Sequence, residues 1–145
     1  MIKIKIVDYN NENEKIIRTI RDDVFIKEQG IDPKIEFDGL DSSAIHTLIY
    51  INDKAIGTGR ILSDGHIGRI AVLSEFRGQN IGSKIIHSLT DVAIKNDYKR
   101  VYLGSQKQAI DFYTKLGFTP FGKEFIEAGI VHLSMEKILD LRKNK

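Results

Sequence analysis

The segment from Glu75 to Lys84 carries the residues with the clearest chemical use in this 145-residue chain. Gly78 and Gly82 lie just ahead of a run with helical spacing, and Arg77 stands in front of them. The first turn of a helix offers unpaired backbone N–H groups and about half a positive charge, a seat for phosphate. Glycine lets a ligand come close to the backbone, and arginine adds a permanent cation whose fork matches phosphate oxygens. One reading is a pyrophosphate cradle; the other is a loop with turn glycines and a surface arginine. Two rival phosphate motifs fail on spacing. Only three residues separate Gly78 from Gly82, and Ser83 precedes Lys84, which excludes a Walker loop. Gly57 and Gly59 lack the third glycine of G-x-G-x-x-G, with Leu62 in its place.

Acids form a second group. Glu28, Glu36, Asp38 and Asp41 fall in or beside a stretch broken by Gly30, Pro33 and Gly39, read as a structured surface loop. Crowded like charges can lift one carboxyl into the range of a general base. The same acids could bind a cationic amine without titrating, or simply face water. Recognition is the favoured reading for the group, with Glu36 the first choice for a base. The histidines, His46, His66, His87 and His132, show no metal-ligand spacing, so no metal is expected. Arg60, on a strand, reads as a partner in a weak surface ion pair.

The elements that must position these residues follow from periodicity. Ile2, Ile4 and Ile6 alternate as in a half-buried strand. Asn11 and Glu14 resemble a capping box, followed by a helical stripe of Ile17, Ile20, Val24 and Phe25. Residues 44–51, 55–62 and 66–72 read as an antiparallel meander joined by hairpin-length turns. Ile81, Ile85, Ile86, Leu89, Val92 and Ala93 hold one helical face. A short strand at 101–103, a short helix at 109–116 stopped by Gly117, and strands near 119–124 and 130–136 follow. The expected fold is a single α/β (α+β) domain over 1–145, with a mixed, mostly antiparallel sheet flanked by helices.

Composition bounds the rest. Apolar residues make up 41% and charged residues 29%, the values of an ordinary globular chain. The net charge is +2, from 22 basic and 20 acidic residues. That balance gives no field for nucleic acid or an anionic membrane. The absence of cysteine removes disulfides and thiolate chemistry and fits a reducing compartment. No apolar run approaches the ~18 residues of a membrane span. A soluble, cytoplasmic protein is expected.

Arg77 to Gly82, reading Arg-Gly-Gln-Asn-Ile-Gly, resembles the Arg/Gln-x-x-Gly-x-Gly/Ala signature of the GNAT superfamily of N-acetyltransferases. The departure is Asn80 where the first motif glycine is usual. Asparagine tolerates left-handed geometry and keeps its N–H, so weakened or shifted phosphate contacts are expected. The run from His66 to Val72 is similar to the superfamily's fourth strand, and Phe112 to Phe118 to its later aromatic motif. Val24, Phe25, Glu28 and Gln29, the acids Glu36, Asp38 and Asp41, and Glu127 to His132 resemble a bacterial subgroup.

The resemblance implies acetyl-CoA as co-substrate. Its pyrophosphate would lie on Arg77, Gly78, Gln79, Asn80, Ile81, Gly82 and Ser83, and its pantetheine arm along Ile70, Ala71 and Val72. Gln106 and Ala109 would touch it further on, and Tyr113 would protonate the departing sulfur. Acetyl transfer needs a neutral nucleophile, a stabilised oxyanion and a proton for the thiolate. Without cysteine no acyl-cysteine forms, and an acyl-serine route stays open but has no nucleophile-elbow motif behind it; direct attack by a primary amine of a small molecule or peptide in a ternary complex is the favoured reading, as the resemblance also implies. Glu28, Asp38 and His132 are the acceptor-side candidates, His132 having a plain hydrogen-bonded strand histidine as its other reading. A non-catalytic acyl-CoA sensor is the alternative function, and an exposed strand edge leaves room for a homodimer.

Overall fold

The computed structural model describes residues 1–139, so the charged tail from Arg142 to Lys145 lies outside the described residues. Strand β1 (Ile2–Val7) leads into α1 (Asn11–Arg21), which continues as a π-helical segment, Asp22–Glu28. A short α2 (Pro33–Glu36) follows, where Asp32 accepts from Lys34 N at the helix start. The strands β2 (Ile45–Ile51), β3 (Lys54–Ile61) and β4 (Ile67–Val72) form the expected meander. Helix α3 (Ile81–Lys95), β5 (Arg100–Gln106) and α4 (Ile110–Lys115) come next. Strands β6 (Thr119–Pro120), β7 (Phe125–Glu127) and β8 (Ile130–Ile138) close the described chain.

Two antiparallel sheets result, one ordered β1-β2-β3-β4, the other β5-β8-β6 with β7 also on β8. They join at a parallel bridge between His66 and Tyr102, where Tyr102 N donates to Gly65 O at 3.1 Å. Gly65 has φ +92, and a Cβ there would lie 2.5 Å from Arg100 O, so only glycine fits this seam. Beyond the seam β4 and β5 pair with other strands, which leaves a cleft between them.

The first sheet is sandwiched by helices. On one face α1 and the π-helical segment bury Ile17, Ile20, Val24 and Phe25 against Leu48 and Ala71. On the other, α3 sets Ile81, Ile85, Ile86 and Leu89 against Ile49, Ile56, Ile61 and Ile67. Glycine allows that close approach: a Cβ on Gly59 would lie 2.5 Å from Ile85 Cγ2 and 2.8 Å from Ile70 Cδ1. The Gly57–Gly59 pair therefore serves packing.

Three expectations need correction. Ile2, Ile4 and Ile6 form a strand, but they are 40–49% exposed because β1 is an edge, paired among the described residues with β2 alone. The cap of α1 is Asn10, one residue earlier, and its side chain makes no capping bond. The strand expected near 119–124 is two short pieces, separated at Gly122 with φ +72. Gly117 does stop α4, at φ +96, with Phe118 N donating to Tyr113 O at 3.1 Å. No helix among the described residues is long and apolar enough to cross a membrane.

Candidate active site

The start of α3 has the geometry of an anion seat. Asn80 takes the left-handed conformation, φ 62 and ψ 22, and no side chain caps the helix. The first amide returned to the chain is Lys84 N, to Asn80 O at 3.1 Å, so Ile81, Gly82 and Ser83 have first-turn N–H groups without a capping partner. A Cβ on Gly78 would meet nothing within 4 Å, and one on Gly82 would come 3.4 Å from Phe112 Cζ. Glycine at 82 thus sets the helix start close beside the Phe112 ring.

Arg77 is engaged elsewhere. Its Nε donates to Val72 O at 3.0 Å, and Nη1 and Nη2 bind the Glu28 carboxylate at 2.5 and 2.8 Å. The bond to Arg77 is what holds the Glu28 carboxyl below its ordinary value.

Strand β4 borders the cleft. Leu73 N donates to Ile56 O at 2.9 Å, so alternation turns the main-chain groups of Val72 away from β3, where its carbonyl accepts from Arg77 Nε; nearer Ile70 the pairing register with β3 shifts, beside Arg69 in the left-handed region. Ala71 faces the opposite way and is buried against α1. At the inner end lies a cavity of about 270 Å³, lined by Glu36, Ile70, Gln106, Ala109, Tyr113 and His132 among others. Arg60, His66, Arg69 and Glu127 also reach it. Six sequence-predicted positions therefore converge, whereas Glu28 and Asp38 lie outside the lining.

The acidic loop is not a free acidic surface. Arg21, fully buried, bonds Glu36 Oε2 at 2.7 Å, Asp41 Oδ1 at 2.6 Å and Glu36 O at 2.9 Å. Arg60 grips Asp38 at 2.9 and 2.6 Å and Asp41 at 2.9 Å. Arg69, in the left-handed region at φ 53, reaches Glu36 Oε2 and Asp38 Oδ2, each at 3.2 Å. Three arginines thus balance three carboxylates. Asp38 is held far below its usual range, first by its hydrogen bond from Arg60. Burial is the largest influence on Asp41, but Arg21 and Arg60 still bring it down. Glu36 is raised by burial, against the pull of Arg69 and Arg21. Burial, rather than the crowding of like charges expected from the sequence, is the cause. Arg60, expected in a surface pair, is only 4% exposed.

Tyr113 packs edge-on to Phe112 and Phe118, with centroids at 5.0 and 5.9 Å, and burial pushes its phenol up to about 12. His132 stacks on Phe125 at 5.5 Å, and its Nδ1 lies 2.8 Å from Ile130 O. Gln106 Nε2 is 3.4 Å from Gln29 Oε1. Sequence reasoning missed Arg21, Arg69 and His66. The first two carry no local signal, since their partners lie 15 to 34 residues away. His66 had one: a ring at a strand start directly after a tight turn.

A two-sheet fold splayed at one seam, with an uncapped helix start and a cavity at the cleft's inner end, agrees with the acyl-CoA acyltransferase class that the family match assigns. The Acetyltransferase (GNAT) domain family model matches residues 11–139, and the chain belongs to that family. It is an acetyl-CoA-dependent acetyltransferase. The chain is 35% identical over 136 residues to the uncharacterized N-acetyltransferase YjcF of Bacillus subtilis, covering 91% of this chain and 97% of that one. Protein ElaA of Escherichia coli is 30% identical over 122 residues, 79% of this chain and 80% of ElaA. The crystal structure of ElaA superposes with a TM-score of 0.84 at 27% identity, over 94% of this chain and 99% of that one. A GNAT family acetyltransferase from Elizabethkingia anophelis with acetyl-CoA bound shares the fold, with a TM-score of 0.71 at 21% identity, over 95% and 98% of the two chains.

Proposed function

We propose that the whole chain, acting as one domain, transfers the acetyl group of acetyl-CoA to a primary amine of a small molecule or peptide, by direct attack in a ternary complex. The observation that carries this is the alignment of three features: the uncapped α3 start, the open main-chain edge of β4, and the Tyr113-lined cavity beyond it. The pyrophosphate rests on the segment from Arg77 to Ser83, and Arg77 leaves Glu28 to meet it. Ile70 and Val72 direct the arm, and Gln106 and Ala109 flank it. Tyr113, protonated at neutral pH, gives its proton to the thiolate. Glu36 and Asp38, committed to arginines, hold the acceptor wall in shape, and His132 borders the acceptor.

A thermal-shift titration with acetyl-CoA, CoA and ATP tests the reading. A ligand at one hundred times its dissociation constant adds ~2.7 kcal/mol, a rise of about 5–11 °C for a domain of this size. Both CoA forms should shift the midpoint and ATP should not. No shift at millimolar acetyl-CoA would sink the proposal.

A further inference from the structure

We propose that His66 is the general base, taking a proton from the acceptor's ammonium group directly or through one water. The inference rests on the acetyl-transfer reading above and assigns a residue it leaves open. His66 lines the same cavity as Tyr113. Its backbone is fixed on both sides: its N–H donates to Asp64 Oδ1 at 3.0 Å and its carbonyl accepts from Leu62 N at 2.9 Å. The ring stacks on Tyr102 with centroids at 4.6 Å and planes 11° apart. Tyr102 is itself anchored by its hydroxyl, which donates to Asp64 Oδ2 at 2.5 Å. A held ring whose nitrogens make no hydrogen bond among the described residues is a proton acceptor in waiting.

Of the other titratable groups of the cavity, Glu36 and Glu127 are worse placed, and His132 is the rival. Glu36 Oε2 lies within 3.2 Å of two guanidinium nitrogens. His132 has Nδ1 on Ile130 O, which leaves its Nε2 able to accept, so H132Q is the companion variant whose rate must exceed that of H66Q. Glu127 is exposed beside the turn into β8. Around His66 stand Asp64 and Tyr102 at the seam, Arg60 on β3, Arg69 on β4 and Glu127 on β7. Burial is the largest influence on the ring and lowers its basicity, with Arg60 and Arg69 adding to that and Asp64 and Glu127 opposing it. The ring is therefore neutral, and able to accept, at neutral pH.

The proton balance closes. His66 takes one proton from the ammonium group and passes it to solvent. The neutral amine attacks the thioester carbonyl, forming C–N, and collapse breaks C–S. Tyr113 protonates the sulfur and recovers its proton from the new amide nitrogen, so one proton is released per turnover.

The test compares wild type with H66Q and H66A, using acetyl-CoA with spermidine, glucosamine, lysine, a short peptide, or water alone as acceptor. The chain has no cysteine, so a thiol reagent reads only released CoA. With thermal unfolding and acetyl-CoA binding retained, H66Q should be slower by about 10²-fold or more at pH 7. The deficit should shrink as pH rises toward the amine's own pKa, and imidazole should restore part of the H66A rate. A pH-independent deficit without rescue, or no deficit, overturns the inference while acetyl-CoA binding still supports the broader reading. If no acceptor turns over, ring 15N NMR decides. A neutral His66 ring at pH 7 that moves with acetyl-CoA supports the role; a protonated or unmoved ring overturns it.

Discussion

Arg77 and Glu28, 49 residues apart, meet in a two-pronged ion pair at 2.5 and 2.8 Å beside the start of α3. One residue stands just ahead of α3 and the other ends the π-helical segment, so the pair ties the two together. Each side chain is 42% exposed, which keeps its contribution to stability near the ~0–1 kcal/mol of surface pairs.

Glu28→Gln should therefore leave the unfolding midpoint nearly unchanged while acetyl-CoA binds more tightly, because Arg77 no longer has to be released. Arg77→Ala should weaken acetyl-CoA by roughly 10- to 100-fold, the loss of a charged hydrogen bond of about 1.5–3 kcal/mol. Calorimetric titration of both variants checks this; equal affinity in all three proteins would refute the competition.

The buried arginine behaves differently. Arg21→Met strands Glu36 and Asp41 without their central cation, and a broken buried pair costs about 3–5 kcal/mol. Urea unfolding should show a loss of that order, far beyond that of any change at Arg77. A loss under ~1 kcal/mol would mean that Arg60 and Arg69 suffice alone.

Acid should unfold the protein in two stages. His46, buried with Nε2 at 2.9 Å from Asp41 O, is lowered chiefly by burial. Its stabilisation is complete above the unfolded value near ~6.5 and is lost as pH falls below it. Asp38, also lowered, keeps its stabilisation until pH falls through the unfolded value near ~3.9. Denaturant midpoints from pH 7.5 to 3 should show both losses; His66, also lowered by burial, shares the first, which His46→Gln should reduce. An unchanged slope between pH 7 and 5 in that variant counts against it.

Tyr113→Phe keeps the ring between Phe112 and Phe118 and removes only the hydroxyl. Turnover should fall by about 10²-fold or more with acetyl-CoA affinity and unfolding midpoint preserved. With the phenol near 12, the wild-type rate should show no fall below pH ~10 from this group. Full activity in the variant would assign the sulfur's proton to another donor.

Gly59→Ala places a methyl into Ile85 and Ile70 and should destabilise by about 1–3 kcal/mol, read by urea unfolding. Gly78→Ala meets no neighbour within 4 Å but keeps a backbone with φ +81, so its cost is conformational.

Regular elements were legible because their signals are local. The β2–β4 meander follows from alternation and turn residues, and α3 from six apolar residues on one stripe. What failed was anything set by a distant partner. Glu36, Asp38 and Asp41 read as an acidic surface, since nothing near them announces Arg21, Arg60 or Arg69. The isoleucines of β1 read as half-buried because alternation reports a strand's chemistry and not its place at a sheet edge. The start of α3 was legible in outline, but the hold of Glu28 on Arg77 depends on a chain reversal that spacing does not encode.

Among the described residues one bridge, between His66 and Tyr102, joins the two sheets and gives them the mechanics of a forked branch. Strain from anything that widens or narrows the mouth is delivered to a few atoms at the crotch: the Gly65 carbonyl, the Tyr102 amide and the stacked ring pair. A filled mouth would act as a removable extra strand, sharing that load along the length of β4. Amides of β4 that face the mouth should then exchange with solvent on a clock set by ligand occupancy, while those facing β3 keep the slower clock of the sheet itself.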